Sequence, residues 1–246
     1  VATTDWPMDS VACHETTVPG SRPDGVFFLA EESRPSQVPW RCLLARDLDN
    51  LLAPVCLSAS HVGWGCLRLE PVWVQTGEAA GLAAALAHQG GVPVAQVQPT
   101  LLVAELAKRR HLISFLNDAD SFLPESWVPA VQFFGTQGFF PGFDARPQAP
   151  LTKAVAACWL AITAELVSAG CLGDVAKHVQ QVAAAEREAS GGMDSTDFGE
   201  ILEQFVTQPI SPTLLQILHG PSRPLNRAQT CEMLFTIVHA ALADAG

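Results

Sequence analysis

The sequence predicts an α/β segment over residues 1–118 followed by a mostly α-helical domain over residues 119–246. Three observations predict it. A continuous apolar run, Leu51–Ala59, is bounded by turn residues and is followed by the strongly helix-forming stretch Ala79–Leu86, a strand–loop–helix order. The composition shifts at Asn117-Asp118-Ala119-Asp120-Ser121. From Trp127 onward, capping residues and glycines punctuate one helical pattern after another.

Residues 1–25 are rich in Thr, Pro, Gly and Asp and read as a loop. Cys13-His14-Glu15 within it is a polar loop sequence rather than a ligand set, because adjacent residues rarely converge on one metal. Val26–Ala30 is a short apolar run, and Pro39 favours extended backbone ahead of Trp40-Arg41-Cys42. Asp47-Leu48-Asp49-Asn50 is a turn by composition. Leu51–Ala59 has the length and polarity of a buried parallel strand, with Pro54 marking an edge or an interruption. His61-Val62-Gly63-Trp64-Gly65 reads as a loop in which glycine permits close backbone approach. A helix then begins either at Gly77, with Thr76 as N-cap, or earlier near Pro71, and it ends at Gly90-Gly91. Pro99–Arg110 is an amphipathic helix whose basic last turn, Lys108-Arg109-Arg110, complements the helix dipole.

In the second half, helices are expected at 128–138, at 153–168 capped by Thr152 and closed by Gly170, at 174–189, at 196–206 and at 211–218, with a last one capped by Asn226 and running to about Leu242. Pro150-Leu151-Thr152-Lys153-Ala154 recurs as Pro224-Leu225-Asn226-Arg227-Ala228, a faint internal repeat.

The totals narrow the function classes. The net charge is −11, and the only lysines are Lys108, Lys153 and Lys177. Without a basic stripe, neither a nucleic-acid backbone nor an anionic membrane surface is an expected partner. No segment has the length of a membrane span. The seven cysteines contain no Cys-x-x-Cys, and four lie in apolar or helical runs, where a thiol packs as a small hydrophobe. No metal site is expected. Val1 and the lack of a leader suggest that a preceding N-terminal part of the same polypeptide completes the α/β segment.

Several short motifs occur in order: Val38-Pro39-Trp40-Arg41, Asn50-Leu51-Leu52, Ser58-Ala59-Ser60-His61-Val62, Leu67-Arg68-Leu69-Glu70-Pro71, Gly77-Glu78-Ala79-Ala80-Gly81 and Gly91-Val92-Pro93-Val94. Together, over residues 26–116, they resemble the C-terminal part of the xanthan-lyase-related family of FAD-dependent oxidoreductases. The resemblance implies that the first half is an α/β fragment of an FAD/NAD(P)-binding domain, with FAD as cofactor and a small organic substrate, a carbohydrate-like alcohol among the candidates. It implies that Arg41, Ser60, Gly77, Glu78, Ala79, Ala80 and Gly81 lie beside the flavin. A helix start cleared of bulky side chains at Gly77–Gly81 would offer free N–H groups to the electron-rich edge of the ring. Tight packing against a sheet would also explain Ala and Gly there.

His61 is the candidate acid–base residue, taking a substrate hydroxyl proton as hydride leaves; a structural histidine is the alternative. Arg68 would neutralise charge on reduced flavin or substrate, or pair with a carboxylate such as Glu70. The Gly-x-Gly-x-x-Gly turn that binds a dinucleotide is absent from the chain. The fragment alone is therefore expected to be inactive. The helix–loop–helix from Trp127 to Ile162 is similar to an S-layer-homology repeat, which implies a non-enzymatic, glycan-binding alternative for the second half. That family carries Thr-Arg-Ala-Glu where this chain has Thr152-Lys153-Ala154-Val155.

Overall fold

The computed structural model describes residues 1–10, 25–188, 190–205, 218 and 220–244. The Cys13-His14-Glu15 stretch and most of the helix expected at 211–218 lie outside them. The chain divides into two compact units, Val1–Val97 and Gln98–Gly246.

The first unit carries four short strands in two antiparallel pairs. β1 (Ala2–Thr4) pairs with β4 (Ser36–Val38), and β2 (Met8–Ser10) pairs with β3 (Phe27–Leu29). The loop expected over residues 1–25 therefore holds two strands at its start. Isolated two-stranded pairs are marginal in water, and helices cover both. Helix α1 (His61–Leu67) packs on β2, and α2 (Glu70–Gly90) packs on β1. Gln75 of α2 completes the β1 edge: its side-chain oxygen accepts from Thr3 N–H at 3.0 Å, and its amide donates to the Thr3 carbonyl at 3.2 Å.

Three expectations for this unit are corrected. Leu51–Ala59 is not a strand: only Leu52 makes a bridge, to Leu44, and Leu51 and Val55 are exposed. Backbone bonds instead tie the segment to the 3-10 turn Trp40–Leu43, from Ala53 N–H to Leu43 C=O and from Ser58 N–H to Cys42 C=O. Pro54, which has no N–H to offer a ladder, sits in the middle of that irregular path. His61–Gly65 is helical rather than looped, capped by Ser60, whose hydroxyl accepts from Gly63 N–H at 3.1 Å. Helix α2 begins at Glu70, with Pro71 in its first turn, so the earlier of the two expected starts is the observed one. Thr76 is no cap; its buried hydroxyl donates to the carbonyls of Pro54 and Val72. The helix ends as expected, with Gly91 in the left-handed region at φ 65°.

The second unit is helical: α3 (Pro99–Lys108), α4 (Val128–Thr136), α5 (Lys153–Ala169), α6 (Val175–Ala185), α7 (Ser195–Phe205) and α8 (Arg227–Asp244). Thr152, Asp174 and Asn226 cap α5, α6 and α8, and Gly170 closes α5 at φ 71°. The composition shift at 117–121 lies inside this unit, past the division at Val97. Helix α3 packs on α4 and α8, and the buried Gln132 side chain of α4 bonds Ile113 and Ser114 N–H and the Ala119 carbonyl. The core stacks Phe134 on Phe139 and Phe139 on Trp159, with centroids 4.0 and 4.6 Å apart.

The repeat has a third member. Leu151 N–H donates to Leu225 C=O, Leu225 N–H to Met193 C=O, and Met193 N–H to Leu151 C=O, at 2.9, 3.0 and 2.8 Å. The three side chains are buried, and each stands one residue before the N-cap of α5, α7 or α8. This closed ring satisfies backbone groups that burial would otherwise leave unpaired.

Glu105 of α3 reaches across to His239 of α8 at 2.6 Å and also binds Lys108 at 3.0 Å and Arg109 at 2.5 Å. Burial raises its carboxyl pKa, but the bonds from His239, Arg109 and Lys108 outweigh that and hold it at about 2, against an ordinary 4.5. A depressed carboxylate stabilises the fold above its unfolded value, and that stabilisation disappears as pH falls through the window from about 4.5 to about 2. Glu105→Gln is therefore expected to be less stable at neutral pH by roughly 1 kcal/mol, the upper range for partly exposed pairs. The difference from wild type should shrink as pH falls through that window, followed by helical circular dichroism in denaturant.

Candidate functional site

Strand β2 and helix α1 bring the two expected catalytic residues under one element. Ser60 ends the irregular Leu51–Ala59 path and caps α1, which places His61 in the first turn. His61 Nε2 lies 2.6 Å from the Ser10 hydroxyl, at the end of β2. At the other end of α1, Arg68 makes a two-pronged pair with Asp9, from Nε to Oδ1 at 3.2 Å and from Nη2 to Oδ2 at 2.6 Å. The hydrogen bond from Arg68 holds the Asp9 carboxyl below the usual carboxylate range, and the same bond raises the guanidinium. The expected alternative partner, Glu70, is not the one used.

Between these two ties, α1 touches β2 directly. A Cβ built on Gly65 would stand 1.9 Å from the Asp9 carbonyl oxygen, so only glycine fits there. The neighbouring Cys66 thiol donates to the Gly63 carbonyl, and burial pushes its pKa up, which makes it a packing group rather than a nucleophile.

The Gly77–Gly81 segment lies in the middle of α2, not at its start. Its amides belong to the intrahelical i to i−4 ladder, so the expected free N–H groups are absent there. The five residues divide by face. Ala79 and Ala80 are buried in the unit's core, while Glu78 and Gly81 are exposed. A Cβ at Gly77 or at Gly81 would meet nothing within 4 Å. Helical spacing puts Glu70, Trp73, Gly77 and Gly81 on one face of α2. On that face Trp73 Nε1 is buried and has no hydrogen-bond acceptor among the described residues. The start of α2, with Leu69 at the N-cap, has no side-chain cap.

Arg41 lies in the 3-10 turn, where it is exposed and pairs with no carboxylate among the described residues. Sequence reasoning missed Asp9, Ser10 and Trp73. Asp9 and Ser10 lie more than fifty positions from their partners, in a stretch without periodicity.

A flavin ring carries acceptor atoms along one edge, and an orphaned indole donor beside a glycine-bare helical face fits such a group. No Gly-x-Gly-x-x-Gly turn occurs in the sequence. No group of three or more His, Cys, Asp or Glu among the described residues is arranged to hold a metal ion, and no described helix is long and apolar enough to cross a membrane.

Residues 1–109 match the family model described as FAD dependent oxidoreductase, which supports an FAD oxidoreductase family for that part of the chain and a general oxidoreductase function. No curated protein and no solved structure matches the chain.

Proposed function

We propose that the first unit is part of an FAD-dependent oxidoreductase that oxidises an organic alcohol, carbohydrate-like in character. The observation that carries this reading is the family match over residues 1–109. The donor-bearing, glycine-bare face of α2 supports it. Bound FAD would supply the hydride acceptor. On this chain, the Trp73 indole offers a donor to the ring's acceptor edge, and Gly77 and Gly81 leave the approach open. Ser60, Glu78 and Arg41 are assigned to the cofactor's surroundings, and Ala79 and Ala80 support that face from the core side. His61 takes the hydroxyl proton as the carbon–oxygen double bond of the product forms. Arg68, held by Asp9, sets the local charge.

The test uses the intact gene product, purified and mixed with FAD. Yellow colour with visible absorption is expected, and a colourless protein that ignores FAD ends the proposal. Gly77→Ala and Gly81→Ala sharpen it. Each replaces a mid-helix glycine in open space and is expected to raise stability by about 0.5–1 kcal/mol. Each should also weaken flavin uptake, measured by fluorescence quenching. Unchanged uptake in both would remove α2 from the cofactor site.

A second reading concerns the other unit, as a non-enzymatic module that attaches to a cell-envelope glycan. The three-way ring at Leu151, Met193 and Leu225 favours it, because it makes the helical pairs a set of three equivalent arms. Retention of the chain on purified wall polysaccharide is the expected result, and no retention retires it.

A further inference from the structure

We propose that the turn at 117–125 in the second unit is a docking knob for another protein, with Phe122 as its anchor, and that the partner surface is an apolar socket rimmed by lysine or arginine. Phe122 is 92% exposed, the most exposed large hydrophobic side chain among the described residues. On a loose loop one such side chain would need no explanation. This one stands on a turn braced from several sides. The Arg110 guanidinium donates to the carbonyls of Leu123, Pro124 and Glu125 at 2.5, 3.2 and 3.1 Å, and its own backbone is left-handed at φ 63°. The Asp120 carboxylate accepts from Phe122 N–H at 2.9 Å, and its carbonyl accepts from Leu123 N–H at 3.1 Å. Ala119 and Ser121 are buried beneath, and the Gln132 amide donates to the Ala119 carbonyl at 2.6 Å. The Asp118 carboxylate accepts from Ala145 and Arg146 N–H, and Arg146 is also left-handed, at φ 52°. Such backbone is unfavourable for arginine and persists where the surroundings over-determine it. The ring is therefore offered on a fixed backbone, which lowers the ordering cost of burying it. Phe115 and Phe143, both partly exposed, extend the apolar surface along the same segment, where Asn117 N–H bonds the Phe143 carbonyl at 2.7 Å.

The charges select the partner. Asp120 and Glu125 stand on either side of Phe122, both exposed, and neither has an ion-pair partner among the described residues. The cations nearest in sequence and space are engaged: Arg110 by the three carbonyls, Lys108 and Arg109 by Glu105, and Arg146 by Glu186. The whole chain carries a net charge of −11. A cationic rim on the partner is thus attracted and held in register, whereas a second copy of this chain or an anionic membrane meets repulsion. The rings favour a protein over a sugar. Phe115 and Phe143 meet at 88°, which gives no flat platform for a sugar face, and Phe122 is an isolated anchor of the kind that fills a pocket.

The probe is a fluorescein-labelled amphipathic peptide with leucines on one face and lysines on the other, titrated with the 246-residue chain by anisotropy. A twin peptide with glutamate for every lysine is the charge control. Wild type is expected to bind the lysine peptide. Phe122→Ala should weaken that binding about tenfold. Glu125→Gln should weaken it about threefold and make it less sensitive to added salt. Phe28→Ala, which removes an exposed ring from the first unit, should leave it unchanged. Because the Phe122 side chain is exposed, its variant should fold as wild type does, which circular dichroism checks. No binding by wild type, equal affinity of wild type and Phe122→Ala, or equal binding of the glutamate twin overturns the proposal. So does a Phe122-dependent dimer in sedimentation, which would make the occupant a second copy. Phe122-dependent retention on wall polysaccharide, without peptide binding, overturns it in favour of a glycan. None of these results bears on the flavin reading of the first unit.

Discussion

Gly65→Ala is expected to destabilise the first unit by about 3 kcal/mol or more, at or beyond the upper end of the usual overpacking cost. The added methyl would meet the Asp9 carbonyl oxygen at 1.9 Å, its nitrogen at 2.7 Å and its carbonyl carbon at 2.9 Å. All three are backbone atoms of a paired strand, so no side-chain rotation relieves the clash. Helix α1 must lift from β2, and in lifting it exposes Leu67 and strains both the Arg68–Asp9 pair and the Ser10–His61 bond. Gly63→Ala is the control in the same helix. Its methyl would meet the Ser60 side-chain oxygen at 3.3 Å and the Ala59 Cβ at 4.0 Å, and the gain in helix propensity offsets those contacts. Urea unfolding of both variants, followed by tryptophan emission, checks the contrast. Equal stabilities would mean that α1 does not bear on β2 as described.

The same contact shows what a sequence does and does not reveal. Helix caps were legible: Thr152, Asn226, Gly91 and Gly170 do what their types predict, because capping is chemistry among residues a few positions apart. Apolar runs were not. Leu51–Ala59 has the length and hydrophobicity of a strand, but those properties do not specify a partner, and Pro54 with two bonds to the Trp40–Leu43 turn settled it as irregular. Gly77 reads as a helix start because Thr76 before it suits an N-cap, yet Thr76 lies inside α2. The true start at Glu70-Pro71 carries its own signal, an acid and a proline in the first turn. The His61 and Arg68 candidates were found by residue type and resemblance. Their partners Ser10 and Asp9 were not, since contacts across fifty positions leave no local trace. The third member of the ring did leave one. Met193-Asp194, directly after Gly191-Gly192, repeats the apolar-then-cap order of Leu151-Thr152 and Leu225-Asn226.

Arg227→Met is expected to cost the second unit about 3–5 kcal/mol, the usual cost of breaking a buried ion pair from one side. Arg227 is 5% exposed at the start of α8 and faces three things at once. One guanidinium nitrogen donates to the Ala145 carbonyl at 3.1 Å, the other pairs with Glu186, and the planar group lies 5.7 Å from the centre of the Trp159 ring. Methionine keeps most of the stem against Trp159, so the loss isolates the charge rather than the packing. Glu186 is then left mostly buried, with the exposed Arg146 at 3.2 Å as its remaining ion-pair partner among the described residues. Removing the stranded acid should therefore recover stability: Arg227→Met with Glu186→Leu is expected to be more stable than Arg227→Met alone, and close to wild type, in guanidinium unfolding followed by circular dichroism. If the double variant is no better than the single one, Arg227 stabilises the unit through Ala145 and Trp159, and Glu186 is incidental. The location makes the distinction matter. Arg227 follows Asn226, the cap next to the ring residue Leu225, so a shift of α8 at this point pulls on the Leu225–Met193 and Leu151–Leu225 bonds that join the three arms.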